Sequence, residues 1–368
     1  MPKIDFLNLK LPYVELKEEI DLAIQRVLDS GWYILGEEVE SFEANWSRYC
    51  ESKYCLGVAS GLDALVLALK SLGIGDGDEV IVPSNTYIAT WLAINSVGAK
   101  IIPVEPDINT YNLNPDLIEE SITENTKAIM PVHLYGQPAD LNPIIKIAKE
   151  NNLKIIEDAA QSHGAKYNNQ KIGSHGDIVC WSFYPGKNLG AFGDGGAITT
   201  DSKKLYQKIK LLRNYGSSRK YFNSEKGINS RLDPLQAAVL NVKLKYLDEW
   251  NNRRSLISYH YLNNIDNKNL ILPEILDNAY SCWHQFVIRS KNREDLINYL
   301  NSKGVSTLIH YPIPPHQQEA FSEIDFSFFS LKIAETLSNE VLSIPIGPHL
   351  KETDYKIVAN LLSNNVDI

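Results

Sequence analysis

Short apolar runs, β-branched or aromatic, punctuate the first two hundred residues. Val80-Ile81-Val82, Ile101-Ile102, Ile155-Ile156 and Ile178-Val179-Cys180-Trp181 are the clearest. They predict strands over 79–83, 100–104, 127–132, 154–158, 178–183 and 197–200. Helical spacing separates the runs. Leu62, Leu65, Val66, Leu69 and Leu72 share one face of a helix, and Ser60 before it suits the N-cap. Further helices are predicted over 16–28, 87–97, about 142–151 and 201–213, with another from about 115. Strands separated by single helices imply βαβ units. The fold class is α/β, with a mostly parallel central sheet flanked by helices.

The pattern changes later in the chain. Residues 214–228 are rich in Gly, Ser and Tyr and read as a loop. From Asn229-Ser230-Arg231-Leu232-Asp233 one long amphipathic helix is predicted to about 265, bridging two domains. Strands over 285–288 and 305–309 and helices over 294–302 and 354–362 follow. Between them lies His310-Tyr311-Pro312-Ile313-Pro314-Pro315-His316, whose prolines fix the backbone. The expected organisation is a large domain, 1–250, with an extended N-terminal arm, and a smaller C-terminal α/β domain, 251–368. Trp32, Tyr33 and Ile34, between Gly31 and Gly36, form an aromatic loop that packs in the core or serves the site.

Composition narrows the function. With 44% hydrophobic and 22% charged residues, the 368-residue chain is ordinary for a globular enzyme. No apolar run approaches the ~20 residues that span a bilayer. The N-terminus lacks the apolar segment of a signal peptide, so a cytoplasmic location is expected. Cys50, Cys55, Cys180 and Cys282 show neither CxxC spacing nor companion histidines, which favours buried thiols over a disulfide or a metal site. A net charge of −9 without a basic cluster argues against a nucleic-acid partner.

The candidate chemistry centres on DIVCWSFYPGKNLGAFGDGGAITT, 177–200. Lys187 stands between two predicted strands, among glycines that let the backbone turn tightly and lie close to a ligand. The strand over 154–158 ends in Asp158, and Ser182 just precedes Lys187. Gly61 and Leu62 open the helix after Ser60. An amine, a carboxylate at a strand end, a hydroxyl and a helix N-terminus are the parts that hold pyridoxal 5'-phosphate (PLP). The amine carries the cofactor, the acid keeps the ring nitrogen protonated, and the helix end and hydroxyl take the phosphate. Ligands of such sheets sit at the carboxyl ends of strands, and Tyr87, His133 and Asp158 fall there.

EDAAQSHGA (157–165), SFYPGKNLGAFGDGGAI (182–198) and NSRLDPLQAAVL (229–240) resemble the DegT/StrS family of PLP-dependent sugar-nucleotide aminotransferases, with the type I aspartate-aminotransferase fold. The likeness runs from Gly31 to about Tyr311-Pro312. PSNTYIAT (83–90) and VHLYGQPADL (132–141) are most similar to enzymes that aminate dTDP-3-keto-6-deoxyhexoses. The resemblance implies Lys187 as the catalytic residue and Asp158 as partner of the ring nitrogen. It implies Tyr87 stacked on the ring and Gln161 bonded to its phenolic oxygen. It also implies a homodimer with shared active sites, in which Asn229 reaches the partner's cofactor phosphate. The aromatic loop would then lie near that interface. Tyr33, Tyr184, Arg219, Tyr221, His310 and Tyr311 are the candidate substrate residues, with Lys220 beside them. His133 and His163 are structural or take a direct part.

Implied substrates are an amino acid, with glutamate as the expected donor, and a keto sugar on a nucleotide. Three rivals stand beside this reading. Family members that are dehydratases carry histidine where this chain has Lys187. The specific motifs argue against an amino-acid aminotransferase. A non-catalytic PLP-binding sensor or scaffold has no support in a chain whose chemical groups are intact.

Overall fold

The computed structural model describes residues 3–363. Its centre is a seven-stranded sheet. In chain order the strands are β1 (Tyr54–Val58), β2 (Glu79–Pro83), β3 (Lys100–Val104), β4 (Thr126–Ile129), β5 (Lys154–Asp158), β6 (Ile178–Ser182) and β7 (Gly196–Thr200). In space the order is β1-β7-β6-β5-β4-β2-β3. The pairs from β3 through β6 are parallel, and β7 runs antiparallel to both its neighbours. The expected α/β class, with a mostly parallel sheet, is the one observed. Ile81, Ile155, Ile156 and Val179 are buried, as strands covered on both faces require.

Helices α1 (Lys17–Ser30), α2 (Glu37–Tyr49), α3 (Gly61–Leu72), α4 (Ile88–Ser96), α5 (Leu141–Glu150), α6 (Lys203–Leu212), α7 (Pro234–Leu244) and α8 (Leu247–Asn264) surround the sheet. Leu65 and Leu69 of α3 and Trp91 and Ile94 of α4 bury with Val80 and Val82. Phe42 and Trp46 of α2 bury with Trp181, Phe183 and Leu240. The consequence for function is that β1, β2, β5 and β6 end at one edge, where β7 begins.

Beyond α8, strands β8 (Leu270–Ile271), β9 (Phe286–Ser290) and β10 (Val341–Ile344) form an antiparallel sheet. Helices α9 (Arg293–Ser302), α10 (Lys332–Glu340) and α11 (Glu352–Ser363) accompany it. Helix α8 runs across the expected domain boundary at residue 250.

Several expectations need correction. The long helix is two, interrupted at Lys245 and Tyr246, whose side chains both bond to Glu19 of α1. Bonds from their N–H groups to Val242 and Lys243 tighten the chain there before α8 starts. The helix from about 115 is two 3₁₀ turns, Pro115–Leu117 and Glu119–Ser121. Ile122 is already extended, leading towards β4. The stretch over 305–309 makes only isolated bridges, Ile4 with Val305 and Leu308 with Ser343. The loop over 214–228 contains a small hairpin, Ser217–Arg219 with Phe222–Asn223. Trp32, Tyr33 and Ile34 are not core, being 63%, 51% and 49% exposed. All four cysteines are buried and unpaired. Among the described residues no helix is long and apolar enough to cross a membrane.

Candidate active site

The shared strand edge opens into a cavity of about 920 Å³, lined by Gly61, Leu62, Tyr87, Asp158, Gln161, Ser182, Tyr184, Lys187, His310 and Tyr311 among others. Each arrives for a local reason. Ser60 caps α3, its Oγ accepting the Asp63 N–H at 3.1 Å. The helix ladder begins only at the Ala64 N–H, on the Ser60 carbonyl. The N–H groups of Gly61 and Leu62 therefore have no intrahelical acceptor. A Cβ on Gly61 would lie 2.6 Å from the Ser182 Cβ, so glycine lets the helix start sit directly on the end of β6.

Lys187 is held by a turn in which its N–H donates to the Tyr184 carbonyl at 2.8 Å. Its Nζ makes neither an ion pair nor a hydrogen bond among the described residues. Burial pulls its pKa down to about 8, against the opposing field of Asp158. Asp158 is 6% exposed. Its Oδ2 accepts the Thr90 hydroxyl at 2.9 Å, and its Oδ1 accepts the Ala160 N–H at 3.1 Å. Thr86 and Thr90 are joined at 2.8 Å, extending the chain of hydroxyls. Burial raises the Asp158 carboxyl above its ordinary pKa, while those two donors and the charge of Lys187 pull it back.

Gln161 accepts the Tyr135 N–H at 2.7 Å and donates to the Tyr311 hydroxyl at 3.1 Å. The Tyr311 ring lies 5.2 Å from that of Tyr87, tilted by 38°. His310 pairs through Nδ1 with the Ser343 hydroxyl at 2.8 Å, and burial drops its pKa to about 4. Tyr184 is 58% exposed at the cavity wall.

Other candidates lie elsewhere in the single chain. Tyr33 is surface-exposed. Arg219 stacks on Phe222 at 3.8 Å, and Tyr221 is 85% exposed. Asn229 is exposed and bridges Asn214. His133 is away from the cavity: its Nδ1 accepts the Ala139 N–H at 3.0 Å, so its Nε2 donates to Glu157, 2.9 Å away. His163 accepts the Leu189 N–H at 3.1 Å and packs on Trp181 and Phe183. Burial takes its pKa down to about 3.

The cavity also gathers residues that the sequence reading passed over: Phe6 and Leu7 of the arm, Thr86, Arg254, His284 and Gln285. Their sequence signal is slight, since all but Thr86, the neighbour of Tyr87, are brought in by distant segments. The built parts fit pyridoxal phosphate. Two unbonded N–H groups and a hydroxyl converge for a phosphate, a buried carboxylate faces the cavity, and an unpaired amine of lowered pKa stands beside it.

The fold is that of the PLP-type aminotransferases. The model of the DegT/DnrJ/EryC1/StrS aminotransferase family matches residues 14–363, and the chain belongs to that family. It is 54% identical over 360 residues to the dTDP-3-amino-3,6-dideoxy-alpha-D-galactopyranose transaminase of Aneurinibacillus thermoaerophilus, covering 98% of this chain and 99% of that one. The crystal structure of Streptomyces venezuelae DesV, in complex with a ketimine intermediate, superposes with a TM-score of 0.97 at 47% identity over all of both chains. NtdA of Bacillus subtilis, solved with bound PMP, gives 0.92 at 33% identity, over 98% of this chain and 85% of that one.

Proposed function

We propose that this chain is a PLP-dependent sugar-nucleotide aminotransferase. It takes an amino group from an amino acid, glutamate in the first instance, and delivers it to the ketone of a dTDP-3-keto-6-deoxyhexose. The product is a dTDP-3-amino-3,6-dideoxyhexose. The observation that carries the reading is the unpaired Lys187 amine sharing a cavity with the buried Asp158 carboxylate. Likeness at 54% identity over 98% of the chain supports the sugar class.

Gly61, Leu62 and Ser182 would hold the phosphate, Tyr87 the ring face, Gln161 the phenolic oxygen and Asp158 the ring nitrogen. When bound, the cofactor supplies an electron sink for the carbon that loses a proton. Lys187 takes that proton from the donor's α-carbon and returns one to the sugar carbon that becomes the amine. Its lowered pKa suits it to both directions near neutrality. The two donors on its oxygens favour the ionised form of Asp158 against the burial that raises its pKa. The half-buried His310, its pKa lowered, and the tyrosines Tyr184 and Tyr311 border the space left for the sugar.

In this reading the active unit is a cytoplasmic homodimer. Asn229, Tyr33, Arg219 and Tyr221, exposed in the single chain, serve the partner's site. We also assign the chain a large domain to about residue 250 and a smaller C-terminal domain.

The test is incubation with PLP, glutamate and a panel of dTDP-keto sugars, with products identified by mass and NMR. A 3-amino sugar is expected. Preference for a 4-keto sugar replaces the regiochemistry. No amination of any sugar, with PLP bound, leaves the scaffold reading in its place.

A further inference from the structure

His284 lines the same cavity as Lys187, just before β9. A chain of buried amides fixes where the proton on its ring sits. Asn251 of α8 donates Nδ2 to the His163 carbonyl at 2.8 Å, which leaves its Oδ1 as an acceptor. Asn188, next to Lys187, donates Nδ2 to that Oδ1 at 2.9 Å and to the Cys282 carbonyl at 2.9 Å. Both amides are buried, and turning either one over would set like atoms against each other, a costly mismatch there. The Asn188 Oδ1 therefore accepts, and the His284 Nδ1, 3.1 Å away, carries the hydrogen. Burial, with the charges of Lys187 and Arg254 nearby, holds the ring well below the ordinary histidine range, so it is neutral. Nε2 is then a bare lone pair. It makes no hydrogen bond among the described residues. The fully buried nitrogens without a partner include Nε2 of His163 but not that of His284, whose ring opens on the cavity. Arg254 steadies the segment from behind, donating to the carbonyls of Trp283 at 3.1 Å and His284 at 3.2 Å.

We propose that Nε2 of His284 is the acceptor for a hydroxyl of the keto sugar, with Asn188 as the positioning residue that holds its tautomer. This rests on the aminotransferase reading given above. Two substrates use the cavity in turn, and only one of them has a donor to spare. The amino acid commits its nitrogen to the cofactor and otherwise presents carboxylate oxygens, which a lone pair repels. The diphosphate is turned away from Nε2 on the same ground. The keto sugar keeps a hydroxyl on either side of its ketone. A ring locked as an acceptor selects sugars that carry the matching hydroxyl, because a sugar without it leaves the lone pair unpaired.

The experiment separates the two half-reactions. Holoenzyme is mixed with glutamate in single turnover. The aminated enzyme is then mixed with dTDP-3-keto-6-deoxyhexose, or with analogues lacking one or the other hydroxyl beside the ketone. His284→Phe should weaken sugar binding by about 5- to 100-fold and leave the glutamate half-reaction within about threefold. One deoxy analogue should lose as much with the wild type and nothing further with His284→Phe, because both changes remove the same bond. An equal loss in the glutamate half-reaction, or deoxy penalties that His284→Phe leaves unchanged, overturns the proposal. Because His284→Phe also cuts the amide chain, the tautomer is read in the wild type by nitrogen NMR of histidine-labelled holoenzyme. His284 should be protonated at Nδ1 and bare at Nε2, and Asn188→Leu should bring up the form protonated at Nε2. A protonated Nε2 in the wild type, or an unaltered tautomer in Asn188→Leu, overturns the proposal. Wild-type holoenzyme that aminates none of these sugars overturns the aminotransferase reading and this proposal together. Amination by the wild type with an indifferent His284→Phe overturns this proposal alone.

Discussion

Thr90 donates its hydroxyl to Oδ2 of Asp158 at 2.9 Å, tying the first turns of α4 to the end of β5. The bond is buried, and Thr86 backs it at 2.8 Å. It holds the carboxylate in one orientation and favours its ionised form, against the burial that raises its pKa.

Removing that hydroxyl should therefore slow turnover without emptying the site. A hydrogen bond to a charged group is worth about 1.5–3 kcal/mol. Thr90→Val should lower kcat by about 10- to 100-fold, and Thr90→Ser should restore most of it. The pH below which activity falls should move upward in Thr90→Val, because the Asp158 carboxyl then protonates more readily. An unshifted acid limb would assign Thr90 to packing alone.

The Lys187 amine has its own pH signature. Its pKa lies near 8 instead of the ordinary 10.5, chiefly through burial. Capture of the PLP aldehyde by apoenzyme needs the neutral amine. The rate should rise about tenfold per pH unit below 8 and level off above it. The field of Asp158 raises this pKa, so Asp158→Asn should move the plateau to lower pH. Stopped-flow absorbance against pH reads both, and a rise that continues towards pH 10 contradicts the assignment.

Gly61 is a steric prediction. Its missing Cβ would meet the Ser182 Cβ at 2.6 Å, inside any real contact. Gly61→Ala should force α3 and β6 apart and displace the phosphate donors, a strain of about 1–3 kcal/mol. PLP affinity, followed by equilibrium dialysis, should fall about 5- to 100-fold with little change in fold by circular dichroism. Undiminished affinity would place the phosphate elsewhere.

How much of this was legible in the sequence follows from the range of each interaction. The short apolar runs Val80-Ile81-Val82, Ile101-Ile102 and Ile155-Ile156 gave β2, β3 and β5 with their observed limits, because the middles of strands buried on both faces take apolar side chains. Lys187, Asp158, Ser182 and Gly61 gather because strand ends share an edge. Helix α2 went unread although Val39, Phe42 and Trp46 carry helical spacing, its signal diluted by Glu37, Glu38, Glu40 and Glu43. Arg253 and Arg254 are indistinguishable in a string of letters. Only the folded chain puts one on the surface with two glutamates and the other against carbonyls of Trp283 and Ile346. At the split between α7 and α8, Lys245 and Tyr246 bond to Glu19, more than two hundred residues away, a contact that no local pattern records.

Shared sites make a further prediction. Asn229 is exposed in the single chain, outside the cavity that holds Lys187. Mixing Lys187→Ala subunits with Asn229→Asp subunits puts both lesions in one site of a hybrid dimer and leaves the other intact. Activity should recover in part once subunits exchange. No recovery with exchange demonstrated by mass would mean self-contained sites.

The most direct measurement is chemical. Holoenzyme is treated with borohydride, digested, and its peptides are mapped for the mass of the reduced cofactor. The chain carries an internal competitor, since Lys243 is also buried and also pulled down to about 8. Lys243, however, gives its ammonium to the Gly190 carbonyl at 2.6 Å and does not line the cavity of Asp158. The cofactor mass should appear on Lys187 and on no other residue. Label on Lys243, or a loaded enzyme with no labelled lysine, would contradict the site described.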